Sequence, residues 1–127
     1  MTSIVDTTGV VVLLVCRFAV DPAAQAAFLE RGRRAVALLG AQAGCRSVEL
    51  GQATEDDAAW VLVAVFDTAA AYRRALSPFD VREHVVPFLS EALTAEDQPA
   101  TFERRVAADP GAPDGTSEHD SVLRPST

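Results

Sequence analysis

Two side chains in this 127-residue sequence combine proton chemistry with a place in an otherwise apolar stretch. Tyr72 is the only tyrosine, and its phenol can donate a hydrogen bond or a proton to a phenolic or quinol ligand. A core aromatic whose hydroxyl reaches a partner at a pocket edge is an equally good interpretation. His84 lies between Val81 and Phe88, and an imidazole can act as a base or as a ligand. A structural histidine at the border of the core is favoured over a ligand or a base.

Three arginines are candidates for binding an anionic ligand. Arg17 is the first charge after the apolar run of the first predicted strand, and an ion pair with Glu49 is the favoured interpretation. Arg74 and Arg82 fall on predicted helices, where a solvated arginine is more common than one that lines a pocket.

The composition excludes several kinds of chemistry. The net charge is −7, and all eleven basic residues are arginines. The absence of lysine excludes a Schiff-base lysine, a lysine anchor for pyridoxal phosphate and a phosphate-loop lysine. Such an acidic chain is poorly suited to nucleic acid. The longest apolar run, 9–16, is too short to span a membrane and follows no basic segment, so we expect a cytoplasmic protein without a membrane partner.

The cysteines and histidines do not indicate a metal site. Cys16 and Cys45 each lie in an apolar, strand-like stretch, and free buried thiols are favoured over a disulfide. Two cysteines and two histidines at these spacings do not form a ligand set, so we expect no metal.

The start of the chain predicts a strand followed by a helix. Residues 9–16 contain no polar side chain and are rich in β-branched residues, which indicates a strand buried on both faces. Asp21 and Pro22 are typical of a helix N-terminus. The helix carries Gly32 on its apolar face, and the roughly 1 kcal/mol cost of a helical glycine predicts a close approach to the sheet.

Segments 45–53 and 60–66 flank a polar turn and predict a hairpin. The first segment is interrupted by charges, whereas the second has no polar side chain. Trp60 and Phe66 share one face of the second segment, where we expect core or pocket wall.

The remainder of the domain predicts short helices and one more strand. A helix begins at Thr68 and carries Tyr72. Ser77 is the predicted N-cap of the next helix, which Pro87 should kink or split. The last strand is expected over 100–106.

These elements predict one α+β domain over 9–107, between a polar lead-in (1–8) and a polar C-terminal tail (108–127). The order β-α-β-β-α-α-β is that of a ferredoxin-like sheet with helices on one face. The two fully apolar strands are the first and the third, which are central in that topology.

The apolar strands also predict a homodimer. Helices can cover only one face of the sheet, and an exposed second face should show polar residues at alternate positions. Neither central strand does, so a second copy of the chain is the expected cover.

Several segments resemble the antibiotic biosynthesis monooxygenase family. They are Gly-Cys-Arg-Ser-Val-Glu-Leu (44–50), the run from Trp60 through Phe66-Asp67-Thr68 to Tyr72, Leu-Ser-Pro-Phe (76–79), Val-Pro-Phe-Leu-Ser (86–90) and Pro-Ala-Thr-Phe-Glu (99–103). The resemblance covers roughly residues 9–107. It implies a dimeric α/β barrel in which two sheets pack together and each sheet and its own helices enclose a pocket.

The resemblance further implies a cofactor-free monooxygenase acting on a small aromatic, quinol or polyketide-derived substrate. In members that oxidise aromatic polyketides, a tyrosine, an asparagine and a tryptophan lie in the pocket. Tyr72 matches the tyrosine, whereas Leu62 and Phe66 stand at the other two positions. Leu62 and Phe66, with Trp60, are therefore expected to line the substrate pocket, and no cofactor is expected.

Two alternatives remain open at this stage. In haem-degrading members an asparagine, a tryptophan and a histidine act together. His84 matches that histidine, but Cys16 and Arg74 stand at the other two positions. A haem-binding relative that uses His84 is one alternative, and a non-catalytic binder or structural dimer module is the other.

Overall fold

The computed structural model describes residues 9–93 and 99–108. Within these ranges the chain forms four strands: β1 (Val12–Ala19), β2 (Cys45–Gln52), β3 (Ala59–Phe66) and β4 (Thr101–Glu103). A 3₁₀ turn (Pro22–Ala24) leads into α1 (Gln25–Gly40), and three short helices follow β3: α2 (Ala69–Ala75), α3 (Phe79–His84) and α4 (Val86–Leu89). The predicted lead-in (1–8) and nearly all of the predicted tail (108–127) lie outside the described residues.

The strands form one antiparallel sheet in the order β2-β3-β1-β4. Strands β1 and β3 pair along their whole length, from Val12 opposite Phe66 to Ala19 opposite Ala59. Strand β2 pairs with β3 at one edge, and β4 pairs with β1 at the other. The predicted α+β ferredoxin-like topology is therefore confirmed. A barrel is not closed by one chain, because the sheet is open at β2 and β4.

Alternate residues of the central strands face the helices and form the core. Leu14, Leu62 and Phe66 are at most 1% exposed. Phe28 of α1 and Phe88 of α4 pack onto them from the helix side, with ring centroids 5.0 Å apart. Burying a side chain of this size contributes about 1.5–3 kcal/mol to stability. The core thus joins the sheet to the first helix, α1, and to the last helix, α4.

Gly32 allows α1 to lie close to the sheet. A Cβ atom at this position would lie 2.5 Å from Cδ2 of Leu50 and 3.3 Å from Cζ of Phe88. The predicted close approach is confirmed, because a Cβ atom at this position would have to displace the end of the Leu50 side chain. Gly40 is the last residue of α1, and Gly44 in the following turn has a positive φ of 86°.

Two strands differ in length from the prediction. Strand β1 begins at Val12 and continues past Cys16 to Ala19, since Arg17 and Ala19 occupy the outward positions of the same alternation. Strand β4 pairs over only three residues instead of 100–106. The shorter β4 leaves part of the edge of β1 without a strand partner.

The helices differ from the prediction at one cap. Thr68 caps α2 as expected, whereas Ser77 does not cap α3. The Ser77 hydroxyl instead donates to the Arg73 carbonyl at 3.5 Å, and Pro78 takes the cap position without a side-chain hydrogen bond. The split at Pro87 is confirmed, because α4 is a separate short helix with this proline in its first turn. None of the helices in 9–93 and 99–108 has both the length and the apolar character needed to cross a bilayer.

The second face of the sheet is uncovered in the single chain. Its central strands present partly exposed aliphatic side chains, namely Leu13, Val15, Val61, Val63 and Val65. Phe102 of β4 pairs opposite Leu13 and is 40% exposed. The apolar character of both strand faces, inferred from the sequence, is therefore seen in the structure.

Candidate functional site

A cavity of about 390 Å³ lies where the edge of β1 meets the short helices. This volume is within the range of small-molecule sites. The described residues that line it are mostly apolar and come from β1, α2, α4 and the segments 90–93 and 99–100: Leu14, Val15, Cys16, Arg17, Tyr72, Leu76, Val86, Leu89, Ser90, Ala92, Leu93, Pro99 and Ala100.

The short length of β4 makes room for this cavity. Strand β4 pairs with β1 only as far as Leu14. Beyond that point two backbone hydrogen bonds hold other segments against the edge of β1. The Val15 N–H donates to the Ala100 carbonyl at 2.8 Å, and the Leu93 N–H donates to the Arg17 carbonyl at 2.7 Å. The edge between these two bonds forms part of the cavity wall.

Tyr72 lies on the wall opposite β1 and is held there by its helix. The hydroxyl of Thr68 accepts a hydrogen bond from the Ala71 N–H at 3.0 Å, which satisfies one of the free amides in the first turn of α2. The Tyr72 ring packs edge-on against Phe66, with centroids 5.3 Å apart. Burial raises the pKa of the Tyr72 phenol, and the nearby Cys16 raises it further. Tyr72 is therefore a protonated donor at neutral pH.

Cys16 faces the same cavity from β1 and is 6% exposed. Burial raises the pKa of its thiol, and the charge of Arg17 lowers it by a smaller amount. Because burial dominates, the thiol stays protonated at neutral pH and is a poor nucleophile. Tyr72 and Cys16 together form a neutral, weakly polar patch in an apolar wall.

Arg17 is the only charged residue among the described residues that line the cavity. The expected ion pair with Glu49 is not formed, because β3 lies between β1 and β2. Within the described part of the chain, no carboxylate lies within 4 Å of the Arg17 guanidinium. The Arg17 side chain is exposed.

His84 does not line this cavity. It borders a smaller groove of about 230 Å³ between α1 and the pair α3 and α4, together with Glu30, Arg34 and Glu83. Its Nε2 lies 3.8 Å from Oε1 of Glu83. The position follows from the helix, since Val81 and Val85 take the buried face of α3 and leave His84 at its border. The two predicted catalytic residues, Tyr72 and His84, are therefore in different places.

The three pocket-wall candidates on β3 do not line the cavity either. Leu62 and Phe66 are 0% exposed and Trp60 is 7% exposed, all within the core. They face the helices from the second central strand, whereas the cavity lies at the outer edge of β1. The Trp60 indole N–H has no hydrogen-bond partner among the described residues, and its ring packs edge-on against Phe28.

The remaining predicted site residues are solvent-exposed. Arg74 on α2 and Arg82 on α3 lie on the outer surface of their helices and do not line the cavity. Within 9–93 and 99–108, no three histidine, cysteine or acidic side chains cluster in a way that could hold a metal ion.

Sequence reasoning missed most of the cavity wall. Cys16 shares its strand face with Leu14, and Leu76 follows Tyr72 by one helical turn, so both were accessible from periodicity. Leu89 and Pro99 had no comparable signal, because they reach the cavity only through the chain path after α3. The structure thus brings Tyr72 together with Arg17 and Cys16, and not with His84 or Leu62.

An open antiparallel sheet with one helical layer and a mostly apolar cavity at the edge of β1 defines an α+β domain with room for a small molecule. Residues 11–85 match the family model described as antibiotic biosynthesis monooxygenase. This match covers more than half of the chain, which therefore belongs to that family, and the resemblance inferred from the sequence is confirmed. Among curated proteins, none matches the chain.

Solved structures show the same fold. SnoaB of Streptomyces nogalater, a cofactor-independent oxygenase, is 25% identical, with 81% of this chain and 99% of SnoaB covered and a TM-score of 0.62. A conserved protein from Methanosarcina mazei is 15% identical, with 80% and 99% covered and a TM-score of 0.64. A protein from Mycobacterium tuberculosis is 20% identical, with 80% and 99% covered and a TM-score of 0.59.

Proposed function

We propose that this protein is a cofactor-independent monooxygenase for a small aromatic, quinol or polyketide-derived substrate bound in the cavity at β1. The observation that carries the proposal is the Tyr72 phenol in a mostly apolar cavity of ligand-binding size. Membership of the monooxygenase family and the fold shared with a cofactor-independent oxygenase support it.

In the proposed reaction the substrate itself reduces dioxygen. With an anthrone-type substrate that has lost a proton to solvent, the electron-rich ring passes electrons to dioxygen, a carbon–oxygen bond forms, and the resulting peroxide takes up a proton. Loss of water then leaves a carbonyl where the substrate had a methylene. One oxygen atom of dioxygen enters the product, and the other leaves as water with the two methylene hydrogens. All the electrons come from the substrate, so no external reductant is required.

The protein contributes position, a dry environment and a proton donor. Apolar side chains such as Leu14, Leu76 and Leu89 exclude water from the reacting carbon. Tyr72 keeps its proton at neutral pH and is placed to donate a hydrogen bond to the substrate oxygen or to the peroxide. Holding the ring and dioxygen together supplies the entropic part of the rate enhancement.

Oxygen uptake with a panel of anthrones and quinols tests the proposal. Tyr72→Phe removes only the hydroxyl, and we expect it to lower kcat/KM by about 100-fold or more, the range of one general acid. His84→Ala is the matched comparison, and we expect it to retain activity because His84 lies outside the cavity. Isotopically labelled dioxygen should place one labelled atom in the product carbonyl.

A non-catalytic binding role is the second candidate. The apolar Leu62 and Phe66, which stand where active relatives carry polar groups, favour it. Absence of oxygen uptake with every substrate, combined with ligand binding in the cavity, would support this candidate over the enzyme.

We further propose that the chain forms a homodimer through the aliphatic part of the uncovered sheet face, with the exposed Arg17 and the cavity mouth outside the contact. The aliphatic side chains of β1 and β3 on that face form a continuous apolar patch, which is costly to leave in water. A twofold axis would bring the patch against itself, so a second copy covers it without any further surface.

A further inference from the structure

Arg17 differs from the other residues of the cavity. It supplies the only charge among the described lining residues, and no described carboxylate lies within 4 Å of it. By contrast, three arginines form ion pairs with nitrogen–oxygen distances of 2.6–3.2 Å, namely Arg31, Arg46 and Arg105. An arginine beside an apolar cavity can present its N–H donors to an anionic group of a ligand.

The position of Arg17 is set by the edge of β1. Strand β4 stops opposite Leu14, and the Arg17 carbonyl accepts the hydrogen bond of Leu93. Strand alternation directs the Arg17 side chain to the sheet face away from the helices. The cavity includes Val15 and Arg17 from that face and Leu14 and Cys16 from the other, so it reaches around the free edge of β1. Arg17 therefore flanks the mouth of the cavity.

The charge of Arg17 acts on the adjacent Cys16, whose thiol forms part of the cavity wall. It lowers the pKa of the Cys16 thiol, which is buried in the wall. The chain as a whole carries a net charge of −7, so attraction of an anion must come from a local cation.

We infer that the cavity selects an aromatic substrate that carries a carboxylate, with the ring among the apolar side chains and the carboxylate on Arg17 at the mouth. A guanidinium binds a carboxylate through two parallel hydrogen bonds, which fixes the orientation of the ring as well as its charge. The inference rests on the proposed function only in taking this ligand as the substrate. Binding itself does not depend on turnover.

The test compares 2-naphthoate with 2-naphthamide, which have the same ring and shape but differ in charge. Calorimetric titration of the wild-type protein should show naphthoate binding about tenfold or more tightly at low salt, with the preference falling as salt rises. Arg17→Gln should remove the preference and leave naphthamide binding unchanged. Arg17→Lys should retain part of it, because it keeps the charge but loses the paired hydrogen bonds.

Arg33→Gln is the control variant, since Arg33 is an exposed arginine on α1 that does not line this cavity. It should keep the full preference. Sedimentation of each variant shows whether the assembly is unchanged. Equal binding of both probes, binding of neither probe, or a preference that survives Arg17→Gln would overturn the inference.

Oxygen uptake separates this inference from the proposed reaction. If the protein prefers naphthoate but consumes no oxygen with any anthrone, the carboxylate site is supported and the monooxygenase proposal is excluded. Equal uptake from a carboxylated anthrone and its amide, with no effect of Arg17→Gln, would retain the monooxygenase and remove the carboxylate site.

Discussion

Tyr72 and Cys16 meet in the cavity as neutral acids, each kept protonated mainly by burial. The sequence identified Tyr72 because a single tyrosine at a helix start is visible in one dimension. The sequence could not show which of Tyr72 and His84 lines the cavity. Both lie on short predicted helices, and only the packing of those helices places Tyr72 at β1 and His84 beside α1. The sequence likewise could not show that Arg17 lines the cavity whereas Arg74 and Arg82 do not. That depends on where β4 stops pairing with β1.

The ionisation of Tyr72 can be measured directly, because it is the only tyrosine in the chain. Burial and the neighbouring Cys16 favour the neutral phenol, so tyrosinate absorbance should appear above pH 10, the usual pKa of tyrosine. Cys16→Ala removes one of the two causes and should move the midpoint part of the way back. The same titration in denaturant is the control and should give the usual value. A folded midpoint at or below that value contradicts the burial described for Tyr72.

At the scale of elements, helix starts and the hairpin were predictable because local chemistry decides them. The cap at Thr68, the split at Pro87 and the contact at Gly32 each follow from a residue type with one strong backbone or packing preference. The short length of β4 was not predictable, and the predicted cap at Ser77 was wrong. Both depend on what the neighbouring strand or turn offers as a hydrogen-bond partner.

The cap of α2 is expected to matter because this helix has only seven residues and carries Tyr72. Thr68→Ala removes the acceptor for the Ala71 N–H and should reduce the free energy of unfolding by about 1 kcal/mol. We also expect weaker ligand binding, since a frayed helix holds Tyr72 less firmly. Urea unfolding and calorimetric titration measure the two effects.

Thr68→Ser keeps a hydroxyl at the cap and should restore most of the stability and the binding. A Thr68→Ala protein that unfolds at the same urea concentration as the Ser variant would show that the cap contributes nothing. Equal ligand binding by both would show that α2 does not depend on it for the position of Tyr72.

At the scale of the whole molecule, the single chain leaves the aliphatic side chains on one face of the sheet exposed to water. Val63 lies in the middle of this face, paired with Val15 on one side and Glu49 on the other. Val63→Glu would place a charge in the proposed interface, where it would be desolvated without a partner. We expect the wild type to sediment as a dimer at micromolar concentration and the variant as a folded monomer.

Ala27→Glu is the matched control, because Ala27 is exposed on α1 in the helical layer. It adds the same charge and should leave the dimer intact. A wild-type monomer at micromolar concentration, or a dimer that survives Val63→Glu, would exclude this face as the interface. Circular dichroism of each variant separates loss of the dimer from loss of the fold.

The sequence alone determined the topology, the central position of the two apolar strands and the presence of an uncovered apolar face. These follow from periodicity and from residue types whose preferences act over a few neighbouring positions. Only the tertiary structure decided where the cavity lies and which polar groups meet in it. The cavity is created where β4 stops pairing with β1, which places Tyr72, Cys16 and Arg17 together and leaves His84 outside. Contacts of this kind join residues far apart in the chain, so they cannot be predicted from the spacing of neighbouring residues.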